Sequence, residues 1–338
     1  MELVLYIFIT LAASLIVWKG GDLLESSSEA LAKYYQLPPL VQGSIITAVG
    51  SSFPELSTTV LSTLIHGEFD LGVSAIVGSA IFNILVIPGI SVILAGKLKT
   101  DRVLVYKDAQ FYITSVAVLL LAFSLAVIYH PADGGELKGN MTRNIALIPL
   151  GLYVLYLFLQ QQDTSEYREN KKREKPDIKP GKEWLKLLLS LLLILGSVEG
   201  LVRSAIFFGE YFNTPSFIWG VTVVAAATSV PDAVVSIKVA TRKNGMVSIG
   251  NVLGSNVFDL LVAIPAGIMI AGTAIVDFSV AIPMMFFLTV ATIVLFTFLR
   301  TRLTLFSWEG WILLGLYIVF IVWIWLETIG VTNFVYEK

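Results

Sequence analysis

"GSSFPELSTT", Gly50–Thr59, sits inside an apolar run long enough to cross a bilayer, yet it carries a glycine, a proline, several hydroxyls and a carboxylate. A spanning helix needs about 20 mainly apolar residues. Proline lacks an N–H, and its ring clashes with the carbonyl four residues earlier, so Pro54 disturbs the carbonyl of Gly50. Unpaired backbone in hydrocarbon is costly unless it is buried in protein or lines a polar cavity. A carboxylate at mid-span, here Glu55, needs a partner that offsets its burial, and it marks a functional site by default. The stretch therefore reads as a broken helix facing the inside of a membrane protein.

The rest of the chain supplies that membrane context. Of 338 residues, 56% are hydrophobic and 14% charged, with mean hydropathy +0.81. Soluble domains run at about 45–50% apolar and about 25% charged. The pattern predicts an all-α polytopic membrane protein with ten transmembrane helices, at 2–24, 39–65, 70–96, 104–129, 143–161, 183–210, 216–241, 246–272, 277–299 and 304–328. The first run lacks the basic leader and short apolar core of a signal peptide. The segment 162–182 reads as a charged linker between a first five-helix repeat, 1–161, and a second, 183–338. With no cysteine there is no disulfide, thiolate nucleophile or Cys-ligated metal. His66 and His130 read as loop residues. The net charge of −2 excludes a broadly basic nucleic-acid binder.

Basic residues set the orientation. They cluster at odd-numbered exits: Lys97, Lys99, Arg102 and Lys107 after span three, "YRENKKREKPDIKPGK" after span five, Arg242 and Lys243 after span seven, and Arg300 and Arg302 after span nine. Even-numbered exits such as "HPADGGELKGN" are poor in them. Odd exits, including the linker, are thus expected in the cytoplasm and both termini outside, in what is expected to be the cell membrane. Trp308, Trp311, Trp323 and Trp325 sit where interfacial anchors belong.

An internal repeat then appears. "GSIITAVGSSFPELSTTV" (43–60) matches "GVTVVAAATSVPDAVVSI" (220–237): Gly43 with Gly220, Ser52 with Ser229, Pro54 with Pro231 and Glu55 with Asp232, each 177 residues apart. Asp22 matches Glu199 at that offset. "GSAIFNILVIPG" (78–89) matches "GSNVFDLLVAIPAG" (254–267), pairing Gly78 with Gly254, Ser79 with Ser255 and Asn83 with Asp259 at 176, and Pro88 with Pro265. Five spans per half is odd, so the halves insert in opposite senses, with broken helices at matching places (helices 2 and 7). That is a secondary-transporter architecture with its site near the midplane.

The second break repeats the chemistry of the first, with Pro231 disturbing the carbonyl of Ala227 and Asp232 following it. No mid-span lysine or arginine is an obvious counter-ion; Arg203 could approach a carboxylate but has no equivalent in the first repeat. A bound cation is the simplest missing charge. Ser51, Ser52, Thr228 and Ser229 supply hydroxyls one turn before the acids. Ser79 and Asn83, like Ser255 and Asp259, stand at i and i+4 on one helix face. The ligands are all oxygen, which suits hard cations, and calcium takes six to eight oxygens where magnesium holds to a rigid octahedron.

At these motifs the chain resembles the sodium/calcium exchanger family of cation/calcium antiporters, over essentially all ten spans. The resemblance implies that Glu55 and Asp232 are shared calcium and sodium ligands. Ser51, Ser52, Thr228, Ser229, Ser79 and Ser255 would complete the sites, with backbone carbonyls at Ala48 and Ala225 and a polar pair, Asn83 and Asp259, in the middle. It implies Ca2+ exchanged for Na+ by alternating access, the first helix of each repeat sliding as a bundle. Calcium and sodium are then transported ions, with no cofactor, no enzyme activity, the bilayer as surroundings, and no obligatory protein partner evident, so that a monomer is compatible. Asp232 is one methylene shorter than the glutamate of many prokaryotic members; with Asp259 it also resembles the potassium-dependent branch, and proton/calcium exchangers share the fold. Outside transport, the rivals are a passive cation channel and an intramembrane aspartyl protease. Three carboxylates with many hydroxyls favour several small ions over a single titrating acid, and no nucleotide-binding motif offers ATP coupling.

Overall fold

The computed structural model describes residues 1–35, 48–102, 104–133, 137–166, 178–329 and 331–332. Gly43, residues 39–47 of the second expected span and residues 167–177 of the linker lie outside the described residues. The chain is helical: α1 (Glu2–Tyr34), α2 (Ala48–Ser51), α3 (Phe53–Leu64), α4 (Phe69–Ala95), α5 (Leu104–Tyr129), α6 (Arg143–Glu166), α7 (Pro180–Phe212), α8 (Ser216–Thr228), α9 (Val230–Thr241), α10 (Gly245–Ala271), α11 (Phe278–Arg302) and α12 (Ser307–Thr328). Among the described residues, eight of these are long and apolar enough to cross a membrane, and the bent pair α8–α9 makes a ninth.

Three of the helices outrun their expected limits. α1 continues past residue 24 to Tyr34, because "ESSSEALAKY" is polar but contains nothing that stops a helix; hydropathy ends there while hydrogen bonding does not. α6 reaches Glu166 and α7 starts at Pro180, so both ends of the segment 162–182 are helical.

The breaks fall where proline puts them, two residues earlier than the ring itself. Helix geometry lapses at Ser52 (φ −94°, ψ 11°) and at Ser229 (φ −76°, ψ −6°), between α2 and α3 and between α8 and α9. Each proline then occupies the first turn of the next helix, where a missing N–H is harmless. The carbonyls of Ser52 and Ser229 accept the N–H of Leu56 and Ala233, both at 3.0 Å. α8 and α9 meet at a bend of 45°. α8 and α10 each contain a π-helical turn, at Gly220–Val224 and Asp259–Ala263, a distortion frequent at functional sites.

Two short antiparallel ribbons tie the ends of the bundle. β1 (Lys97–Lys99) pairs with β4 (Thr304–Phe306), and β2 (Lys138–Thr142) with β3 (Thr273–Asp277). The first joins the exits after the third and ninth expected spans, and the second those after the fourth and eighth. Basic exits thus lie beside each other, as do basic-poor ones. Gly96 and Gly272, 176 residues apart, end α4 and α10 with φ of 78° and 94°, a backbone state that only glycine adopts without strain.

α4 is apolar all round and buried on nearly every side, as a central helix must be. It anchors the main core with α5, α6, α10, α11 and α12. A second apolar cluster joins α1 (Val17, Leu24) to α7 (Ile194, Val198, Leu201) and touches α4 and α8 through Leu71, Ala75, Val224 and Ala227. Small residues permit the approach: a Cβ on Gly20 would lie 2.8 Å from Ile194, and one on Gly21 3.1 Å from Pro231.

Candidate functional site

The two breaks bring both acids to the first turn of a helix, Glu55 in α3 and Asp232 in α9. The positive end of a helix dipole favours a carboxylate there. α4 and α10 carry the remaining groups between them. Glu55 and Asp232 are each 1% exposed and Asp259 0%, so water cannot screen them.

The bonds follow the repeat. Glu55 accepts from Ser79 Oγ at 3.3 Å, and Thr228 adjoins it. Asp232 has Ser255 and Ser51 beside it. Each acid therefore meets the serine of the next helix in its own half and the hydroxyl before the break in the other half. Ser51 Oγ lies 3.2 Å from Ser255 Oγ, and Ser79 Oγ 2.7 Å from Ser229 Oγ. Symmetry fails at one place. Asp232 accepts from Asn83 Nδ2 at 3.3 Å, whereas the like charges of Asp259 and Asp232 bear on Glu55.

What the protein leaves unsatisfied is more telling. Glu55 Oε2, Asp232 Oδ1, both carboxylate oxygens of Asp259, Asn83 Oδ1 and Ser52 Oγ are buried without a hydrogen-bond partner. Ser52 lies toward Asp259 without forming a bond to it. These are six of the twelve orphaned buried side-chain atoms among the described residues. Native interiors pair nearly all such groups, and each exception needs an explanation. Five of the six can only accept, so the complement is a positive charge or a donor.

No basic side chain supplies it among the described residues. Arg203 Nε bonds Glu199 at 2.7 Å, and Lys19 lies over the Trp18 ring. His66, expected to be a plain loop residue, holds Glu199 through Nε2 at 3.1 Å and ties the end of α3 to α7. His130 stands at the end of α5, as expected of a loop. Among the described residues no three His, Cys, Asp or Glu side chains close into a ligand group. Glu55 bonds instead to a hydroxyl and Asp232 to an amide, while Asp259 is left without a partner.

The carbonyl of Ala225 accepts from Ser229 N at 3.1 Å, Ser229 Oγ at 2.8 Å and Thr228 Oγ1 at 3.3 Å, so in this arrangement it serves its own helix. Ala48 opens α2. Sequence reasoning passed over Asn256, which is fully buried. Its Nδ2 donates to Ala80 O at 3.1 Å and to the Tyr112 hydroxyl at 3.2 Å, while its Oδ1 accepts from Asn83 Nδ2 at 3.0 Å. It thereby fixes the amide that serves Asp232. The available signal was an amide in the middle of an apolar span, opposite an alanine in the first repeat.

A cavity of about 520 Å3 runs from the side of the basic exits to Ser255, lined among others by Glu25, Asp108, Tyr153, Gln160 and Asn251.

Known proteins share this sequence pattern and fold. The family model described as "Sodium/calcium exchanger protein" matches residues 5–161 and 182–326. The sodium/calcium exchanger MaX1 of Methanosarcina acetivorans is 24% identical, covering 90% of this chain and 94% of its own. A solved structure of the sodium-calcium exchanger NCX_Mj, soaked with 10 mM Na+ and zero Ca2+, superposes with a TM-score of 0.61 at 23% identity, covering 95% of this chain and 99% of that one. The structure of native YfkE gives 0.73 at 16% identity, covering 96% and 92%. At these identities the two structures establish the fold. The family match spans both halves of the chain and both broken-helix motifs that build the buried cluster, and so this membrane protein belongs to the sodium/calcium exchanger family.

Proposed function

We propose that the chain is a secondary antiporter that exchanges Ca2+ for Na+ by alternating access across the cell membrane. The observation that carries this reading is the set of orphaned, acceptor-only oxygens contributed by both halves of the chain at one buried place. An unpaired buried charge costs several kcal/mol. One divalent ion, or several monovalent ions in turn, would offset that penalty. Glu55 and Asp259 lack the amide donor that Asp232 enjoys, so the Glu55–Asp259 side is where cation charge is needed most. Ser51, Ser52, Ser79, Thr228, Ser229, Ser255 and Asn83 would complete the coordination. The carbonyls of Ala48 and Ala225 would join if the broken helices shift.

The ten-helix inverted repeat, with halves 1–161 and 183–338, is supported by the matched breaks at Ser52 and Ser229. It is supported also by the ribbons: exchanging the halves turns the β1–β4 pairing into β3–β2. Under that symmetry one ribbon lies on each side of the membrane. The separate apolar cluster of α1 and α7 suits a pair of helices that slides together on the rest. Both termini then lie outside, with the linker in the cytoplasm. Ligands supplied by one chain favour a carrier over a channel, whose pore is commonly a ring of subunits. No enzymatic role, resident cofactor or protein partner is required.

The test is calcium flux into reconstituted vesicles under sodium, potassium and proton gradients imposed in turn. Uptake that requires an opposing sodium gradient is expected, and Glu55→Gln or Asp232→Asn should abolish it in folded protein. Uptake driven by protons alone would make the chain a proton/calcium exchanger, a requirement for potassium would place it in the potassium-dependent branch, and uptake with no counter-ion would make it a channel.

A further inference from the structure

His66 and Glu199 meet across the two halves of the chain. His66 stands in the turn after α3, and its Nε2 donates to both carboxylate oxygens of Glu199 in α7, at 3.1 and 3.2 Å. Arg203, one turn along α7, donates to the same carboxylate at 2.7 Å. The contact ties α7 to the end of α3 on the face away from the basic exits. The helices are closely packed there. Thr59, Ser62 and Thr63 of α3 are buried; a Cβ on Gly72 of α4 would overlap Ser62 Oγ, and one on Gly267 of α10 would lie 2.8 Å from Thr59 Cγ2.

The repeat holds a second set of the same kind, and that set is apart. Glu199 answers to Asp22 of α1 at the offset of 177. The turns after α3 and α9 also correspond. Ile65 and Arg242 cap the ends of those helices, and Glu68 and Asn244 cap the starts of the next with φ of −99° and −104°. Between them Gly67 and Lys243 take φ of 69° and 64°. His66 is the one residue by which the first turn is longer, and it falls between the positions of Arg242 and Lys243. Each half thus puts a basic side chain in the turn behind its proline break, and an acid in its first helix that can meet the other half's turn. Asp22, Arg242 and Lys243 are exposed, and their side chains make no hydrogen bond or ion pair with a described residue. On their face of the bundle lies the cavity of about 520 Å3, between Glu25 and Glu29 of α1 and Val235 and Val239 of α9. One set is bonded where helices meet, and the other is unbonded where they part.

Resting on the exchange reading above, we propose that the two sets are alternating latches. His66–Glu199 holds the bundle closed on the face away from the basic exits. Asp22 with the basic turn Arg242–Lys243 closes the cavity face when it forms. α1 and α7 pack on each other through one apolar cluster, so a displacement of the pair carries Asp22 and Glu199 together. Movement toward the basic exits takes Glu199 from His66 and brings Asp22 to Arg242 and Lys243. Glu199 keeps Arg203 when His66 leaves, so its charge is never bare. Ion pairs at partly exposed positions add little stability, which suits contacts that break in every cycle.

The chain contains no cysteine of its own, so the full protein in detergent can carry a single reporter thiol. Val235→Cys puts that thiol in the cavity wall, where its rate of reaction with maleimide follows how far the cavity is open. Glu199→Gln releases the first latch and should lower that rate about threefold, the scale of a partly exposed ion pair. His66→Ala should lower it equally, since it breaks the same contact and leaves Glu199 to Arg203. Unfolding would expose the thiol and raise the rate, so a fall is not a folding defect. Adding Asp22→Asn to Glu199→Gln removes the rival latch and should return the rate to its starting value. An unchanged or raised rate in Glu199→Gln, or a fall that Asp22→Asn does not reverse, overturns the proposal. Labelling needs no transport, so wild-type vesicles that fail to exchange calcium would sink the exchange reading and leave the latches to be judged by labelling alone.

Discussion

At the scale of single residues, the site is nearly symmetric and its one asymmetry is chemical. Asn83 gives Asp232 a donor, whereas its counterpart Asp259 gives Glu55 a like charge. Asp259→Asn would supply that donor and remove one negative charge. It is expected to weaken apparent sodium or potassium affinity about tenfold while calcium affinity changes less than about threefold, a hydrogen bond to a charged group being worth about 1.5–3 kcal/mol. Sodium- and potassium-dependent flux at fixed calcium checks this, and equal losses would show that Asp259 serves calcium as well. Most of the cluster was legible in the sequence, because proline followed by an acid at mid-span has few structural explanations and occurs twice. Asn256 was not, since one buried amide without a repeat partner resembles packing. The His66–Glu199–Arg203 contacts were not either, since residues 133 apart in sequence meet only through the helix crossing.

Elements place those residues by close approach. A Cβ on Gly78 of α4 would overlap the carbonyl of Val221 and lie 2.8 Å from Ala225 Cβ in α8, whereas its counterpart Gly254 has nothing within 4 Å. Gly78→Val is expected to push α4 off the broken helix, costing about 1–3 kcal/mol, while Gly254→Ala leaves stability near wild type. Thermal unfolding in detergent separates the two; equal Tm values would mean that the crossing is not tight. Element ends were the least legible part. α1 passes ten residues beyond residue 24 because backbone bonding continues through a polar segment. The breaks sit at Ser52 and Ser229 because proline is tolerated in a helix's first turn, so the irregular residue precedes it.

For the whole molecule, periodicity was enough to read a polytopic helical bundle, but the ribbons were invisible. Their strands are three to five residues long and pair across more than 130 positions of sequence. They lead to a direct topological expectation. The chain contains no cysteine, so Lys99→Cys and Leu137→Cys introduce single, exposed thiols beside β1 and β2. A membrane-impermeant maleimide added to intact cells should label the residue-137 thiol and spare the residue-99 thiol, as the retention of basic loops in the cytoplasm leads one to expect. Labelling of both from one side would contradict opposed ribbons and, with them, the inverted halves.

The central claim is that metal ions neutralise two carboxylates that the protein itself leaves unpaired, and a crystal soaked in calcium tests it most directly. Anomalous density is expected beside the Glu55 and Asp232 carboxylates, at about 2.3–2.6 Å from coordinating oxygens, and absent in Glu55→Gln. A wild-type crystal with calcium bound elsewhere, and with Glu55 and Asp232 satisfied by protein donors alone, would contradict the account.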